Sequence, residues 1–184
     1  MDHPERALDF LLAATKRFLM EIYIRPFINV RSELSLNRLR IWKDYKNYHV
    51  RRLGSEGTRP NLPWAKKVDM TSDLTLPLLD HLHAYPTRYF TRSVANHLND
   101  ITKTDPDAVL TYLATWRDRA RQDPKKLAWM MRHALRTLTK DGHSGAMELL
   151  RYRPDAQVAV SDFSLSPAKA AIDGQMEITL TLMA

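Results

Sequence analysis

The sequence predicts a mostly α-helical chain, a solenoid of paired helices followed by a short two-stranded β tail. Three observations carry that expectation. Apolar residues recur at helical spacing in segments that alternate with short breaks over most of the chain. Arg52, Arg92 and Arg132 stand forty residues apart, each expected early in the second helix of a pair and two residues after an apolar position (Val50, Phe90, Met130), and Arg17 fits as an earlier member. A period of that length built from paired helices is the mark of HEAT-like repeats, in which each pair buries its apolar side against its neighbours. Near Val158 the pattern changes to period two, with Val158 and Val160, then Met176, Ile178, Leu180 and Leu182. The division predicted is a repeat domain over 1–153 and a β tail over 154–184.

The elements follow in order. His3-Pro4 opens a helix carrying Ala7, Leu8, Leu11 and Leu12 on one side. A second helical pattern runs from about Thr15 to Ile28, with Phe18, Ile22 and Arg25 in phase. Ser35 is a suitable N-cap for a short helix bearing Leu36, Leu39 and Ile41–Trp42. After the stretch around Arg52 come Leu76–Leu82, a break at Tyr85-Pro86-Thr87, and a helix from about Arg88 to Lys103. Asp105-Pro106 and Asp123-Pro124 each combine an N-cap carboxylate with proline at the first helical position. Asp141-Gly142 stops the last long helix. Two strands are too few to be stable alone, so the tail must find partners. Self-association through the strand edge, or through an exposed flank near Leu8 and Leu11, is expected.

The stretch from His49 to Trp64 is the least ordinary part of the chain. Arg51, Arg52 and Glu56 sit on an apparent helix, which Gly57, Pro60 and Pro63 then break just before Trp64. Its bland explanation is a capped helix and a stiff loop with Trp64 in the core. The net charge of +7 is concentrated here, because the first 68 residues hold twice as many basic as acidic residues and the remainder is balanced. A local basic surface suits a polyanion, nucleic acid above all. The chain has no cysteine, which excludes disulfides and thiolate metal sites. His81 and His83 fall on different helix faces, so no metal or other cofactor is expected. No apolar run is long enough for a bilayer and no leader pattern opens the chain, so a cytoplasmic protein is expected.

Within the repeat frame, Glu21, Glu56, Asn96 and Arg136 stand four residues after each Arg. One turn further lie Arg25, Asp100 and Lys140, with Trp64 beyond its helix break. Glu21, Glu56 and Asp100 would then share a basic surface where carboxylates repel phosphate. Ion pairs to Arg17, Arg52 and Arg92 are one reason to keep them; chemistry is the other.

Val50 through Trp64 resembles the signature of the AlkC-type DNA alkylation repair glycosylases. Arg92 through Asp100 is similar to their second motif, Arg132 through Leu138 with Lys140 to a third, and Phe18 through Pro26 to the segment before them. The resemblance covers about residues 8–150. It implies a HEAT-like repeat 3-methyladenine DNA glycosylase that excises cationic N-methylated bases from double-stranded DNA. It places the family's catalytic carboxylates on Glu21, Glu56 and Asp100 and an aromatic lesion contact on Trp64. Arg51, Arg52, Arg59, Lys66, Lys67, Arg92, Asn96, Arg132, Arg136 and Lys140 are the expected DNA contacts. The tail is similar to the start of an immunoglobulin-like domain, and the family's other repeats have no counterpart here. Asn61 and Thr91 stand where the pattern leads one to expect basic residues. The chemistry agrees with the residue types: a cationic base leaves as a neutral molecule, so carboxylates beside the oxocarbenium-like sugar suffice. The competing expectation is a non-catalytic repeat module that binds DNA or protein.

Overall fold

A computed structural model describes residues 3–153 and 157–183. The helices are α1 (Pro4–Thr15), α2 (Glu21–Val30), α3 (Ser32–Trp42), α4 (Tyr48–Arg52), α5 (Ser72–Leu82), α6 (Arg88–Ile101), α7 (Pro106–Arg119), α8 (Pro124–Ala134), α9 (Arg136–Lys140) and α10 (Ser144–Leu149). A π-helical turn, Leu53–Gly57, continues α4. Two strands, β1 (Ala159–Ser166) and β2 (Glu177–Met183), pair antiparallel.

The helices form two rows. In one row α2 packs on the π-helical turn, that turn on α6, and α6 on α8; in the other α3 meets α5 and α5 meets α7. Polar ties join successive repeats at nearly constant separation: Ser55 to Ser93, His49 to Tyr89, and Asn99 to Thr137. These ties reflect the forty-residue period and make the fold the predicted helical repeat. Two apolar cores lie between the rows. One gathers Leu8, Ile24, Ile28, Leu39, Trp42, Val50 and Leu53; the other Leu79, Phe90, Val94, Leu98, Leu113, Trp116 and Leu135. Each such side chain, fully buried, is worth about 1.5–3 kcal/mol.

Capping follows the sequence where the signals are chemical. Asp105 and Asp123 accept from the backbone N–H of Ala108 and Lys126, each ahead of a proline at the first helical position. Gly142, with φ +70°, follows α9 in the left-handed conformation that glycine adopts without cost.

Several expectations are corrected. The second helix opens at Glu21, not Thr15; residues 16–20 form a turn, Arg17 lies in that turn, and Phe18 and Ile22 are exposed. Thr15 Oγ1 donates back to Leu11 O at the end of α1, closing that helix early. Ser35 lies inside α3, which opens at Ser32. Leu8 and Leu11 are core residues, not an exposed flank, because α2 and α4 cover α1. Arg132 stands near the end of α8, not early in it.

The β ribbon has a register irregularity between Ser161 and Ser164, where Asp162 adopts φ +52°. The bulge shifts strand parity by one residue. Val160 then faces Leu182 while Leu165 faces Ile178, so the larger apolar side chains share one face and remain exposed.

Candidate functional site

The site begins where α4 gives way to the π-helical turn. Such turns are rare, and they leave helix carbonyls that need other donors. Thr58 Oγ1 donates to Gly54 O at 2.8 Å, His97 Nδ1 to Ser55 O at 2.9 Å, and Arg25 Nη1 to Gly57 O at 3.2 Å. A carbonyl only accepts, so His97 carries its proton on Nδ1. Burial draws the His97 pKa down to about 3, against a weaker lift from Ser55 O, and keeps the imidazole neutral. Close approach requires the glycine at Gly57 and tightens the fit at Gly54. A Cβ on Gly57 would meet Ile24 Cγ2 at 2.7 Å, and one on Gly54 would meet Leu82 Cδ1 at 3.3 Å.

The turn brings the three predicted carboxylates into one chain of ion pairs. Arg52 bridges Glu21, through Nη1, and Glu56, through Nη2 at 3.2 Å. Arg59 bridges Glu56 Oε1 and Asp100 Oδ2, each at 2.9 Å. All three carboxylates and Arg59 are buried. Burial disfavours the charge on Arg59, but hydrogen bonds and charges from Asp100 and Glu56 outweigh it and raise the pKa. The three carboxylates share the guanidinium groups of Arg52 and Arg59, and the buried Arg25 lies close enough to act on Asp100 and Glu56 through space, so charge of both signs is concentrated in a region largely shielded from water. Asp100 Oδ1 is the least occupied acceptor of the pair it belongs to, meeting Lys103 Nζ only at 4.0 Å. The ion-pair expectation is therefore met at Arg52, whereas Asp100 pairs with Arg59 and not with Arg92.

Glu56 and Ser93 open onto a cleft of about 660 Å³. Leu62, Pro63 and Trp64 form one wall, and Tyr89, Arg88 and Arg92 the other. Trp64 is 99% exposed, with φ +64°, so it is not a core residue. A bulky side chain in the left-handed region is a strained outlier that persists only when its surroundings hold it. The holding group is Arg25, buried in α2. Its guanidinium donates to Gly57 O, Arg59 O, Pro60 O and Lys66 O.

No protein-family model matches the chain. A solved structure of the Pseudomonas fluorescens alkylpurine DNA glycosylase AlkC, bound to DNA containing an abasic site analog, superposes with a TM-score of 0.82 and 34% identity. The match covers 97% of this chain and 50% of that one. The chain has the AlkC-type fold. The uncharacterized protein YhaZ of Bacillus subtilis (strain 168) is 34% identical over 180 residues, 96% of this chain and 49% of its own length. The chain thus spans about half the length of the proteins it matches.

On this AlkC-type fold the other predicted residues separate into two groups. Arg51 is engaged by the fold: it donates to Tyr45 O and Lys46 O and lies 4.6 Å over the Tyr85 ring. Asn96 Oδ1 accepts from His133 Nε2 at 2.8 Å and from Arg136 Nη2 at 3.4 Å. Lys66, Lys67, Arg92, Arg132 and Lys140 have exposed side chains. Among them only Arg92 lines the cleft.

Sequence reasoning missed Tyr89 and His133. Tyr89 Oη accepts from Arg52 at 3.2 Å, its ring lies 4.3 Å below that guanidinium, and its hydroxyl meets His49 Nδ1 at 2.9 Å. The forty-residue step from His49 to Tyr89 was the available signal. His133 stacks on Trp129, and its pKa is lowered by burial first and then by Arg136, Arg92 and Arg88. Nothing in the spacing singles it out.

Proposed function

We propose that this chain is a DNA glycosylase that hydrolyses the N-glycosidic bond of cationic N-methylated bases such as 3-methyladenine in duplex DNA. The observation that carries the reading is the buried triad of carboxylates linked by Arg52 and Arg59 at the edge of an open cleft. The likeness to AlkC, whose solved structure holds DNA with an abasic site analog, supports the same class of reaction.

The chemistry needs little beyond these groups. The C1′–N bond breaks with its electron pair leaving on the cationic base, which departs neutral. The sugar develops positive charge, stabilised by the carboxylates of Glu21, Glu56 and Asp100. Water adds to C1′ and yields its proton to a carboxylate, with Asp100 or Glu56 as the base. Trp64 offers an exposed indole to the cationic base, an attraction of about 0.5–2 kcal/mol. A neutral, undamaged base loses that attraction and leaves less readily, so discrimination arises mainly from the lesion.

One observation favours the runner-up, a helical repeat module that binds DNA without cutting it: each carboxylate already has a guanidinium partner. Chromatography of free base after incubating the chain with methylated duplex DNA decides between them. The glycosylase reading expects free 3-methyladenine; the binding module expects retained DNA and no released base.

A further inference from the structure

The guanidinium of Arg25 is 0% exposed, and none of its four hydrogen bonds goes to a carboxylate. All four end on backbone carbonyls of one loop. Nη1 reaches Arg59 O at 2.7 Å and Gly57 O at 3.2 Å, Nη2 reaches Pro60 O at 3.2 Å, and Nε reaches Lys66 O at 2.5 Å. Arginine has five N–H donors in a fixed planar fork, so four convergent carbonyls define the loop in a way no flexible ammonium can. Gly57 and Lys66 are the two ends of the loop, and Trp64 and the Arg59 side chain lie between them.

Thr58 Oγ1 and the buried ion pairs of Arg59 hold the first part of the loop, and the stretch from Pro60 to Lys66 that carries Trp64 is lightly held. Ala65 N–H donates to Leu62 O and Val68 N–H to Pro60 O, both at 3.3 Å. Pro60 and Pro63 supply no donors of their own. Asn29, one helical turn after Arg25 on α2, adds an exposed second anchor by donating to Lys67 O at 2.8 Å. The strained φ of Trp64 therefore depends on a loop closed chiefly by Arg25.

We propose that Arg25 is a positioning residue that cinches the Gly57–Lys66 loop, so that Trp64 projects beside the cleft and Arg59 reaches both Glu56 and Asp100. It touches no substrate and acts through those two side chains. The catalytic consequence rests on the glycosylase reading above; the effect on the loop does not.

The test uses Arg25→Lys, which keeps the buried charge and removes the fork, in the full chain. Hydrogen exchange is measured by mass spectrometry, with single-turnover excision from methylated duplex DNA alongside. Protection is expected to fall in peptides covering residues 57–67 while α6 and α8 keep theirs. Excision per folded molecule is expected to fall by about 10²-fold, the scale of a misplaced active-site group. In a Trp64→Ala background the same change should cost distinctly less, because part of the route is already gone. An unchanged exchange pattern in the loop overturns the proposal whether or not the chain excises bases. A loss of equal proportion in both backgrounds overturns the route through Trp64. If loop protection falls and neither parent nor variant releases base, the cinch stands and the glycosylase reading fails. If Arg25→Lys does not fold, Arg25→Gln, whose amide reaches at most two of the four carbonyls, takes its place: loosening confined to the same loop is expected, and full protection there contradicts the proposal.

Discussion

Two stretches eighty residues apart in the same helical row use charge in opposite ways. Around Arg52 the helix is distorted, two glycines sit in close packing, and three carboxylates and the Arg59 guanidinium are buried in a chain of ion pairs that the half-buried Arg52 completes. Around Arg132 the helix is regular to Ala134, no carboxylate lies between Arg132 and Lys140, and both those cations face solvent. Paired buried charges make a fixed field at one place. Exposed cations attract phosphate but build no site. On the proposed glycosylase reading, the distorted stretch would do the chemistry and the regular one would attract DNA.

The largest expected effect that would break this contrast is on Arg59. Arg59→Ala removes the only ion-pair partner shared by Glu56 and Asp100 among the described residues, leaving Glu56 to Arg52 and the buried Asp100 to Lys103 at 4.0 Å. A loss of about 3–5 kcal/mol in a urea titration is expected. A loss near zero would mean that the cluster is open to water and no fixed field exists.

Next is the close packing. Gly57→Ala forces a Cβ to within 2.7 Å of Ile24 Cγ2 and should cost about 1–3 kcal/mol. Gly54→Ala meets only the end of a flexible leucine side chain and should cost less. Thermal melts of the two variants compare them.

Acid sharpens the comparison through the histidines. His97, under the π-helical turn, has its folded pKa lowered from 6.5 to about 3. Between those values the unfolded chain binds a proton that the folded chain refuses, so stability is lost as pH falls through that window. The slope is at most about 1.4 kcal/mol per pH unit. His133, by the regular stretch, is only half-buried and shifted the same way, so it adds to the same slope. Stability measured against pH in the parent and in His97→Gln should assign most of the slope to His97.

Smallest is the effect of Trp64→Ala on stability. An exposed side chain in a strained conformation contributes little to the fold, so the melting temperature should move by the equivalent of about 0.5 kcal/mol or less. Affinity for methylated DNA should fall by about 0.5–2 kcal/mol. A large drop in melting temperature would return Trp64 to a structural role.

The legible parts of the sequence were those set by local chemistry. Asp105 and Asp123 with their prolines, the glycine after α9, and the constant step between Arg52, Arg92 and Arg132 all depend on nearby residues or simple period. Glu21, Glu56 and Asp100 could be placed together because a period fixes which helical faces align. What stayed hidden depends on long-range partners. Arg25 counts as a surface residue until the Gly57–Lys66 carbonyls converge on it, and Arg59 counts as a phosphate contact until Asp100 is found beside it. No residue from Lys16 to Met20 is a helix breaker, so the start of α2 at Glu21 follows from its packing against α1, α3 and the π-helical turn.

The central claim is that the buried carboxylates perform chemistry and do not merely pair with arginines. Single-turnover release of 3-methyladenine from methylated duplex DNA by the parent chain, Asp100→Asn and Glu56→Gln tests it most directly, with rates normalised to folded protein by thermal melts. Release by the parent and a fall of about 10²-fold or more in each variant, with DNA affinity retained, are expected. Variants that match the parent per folded molecule, or a parent that binds methylated DNA and releases no base, would contradict it.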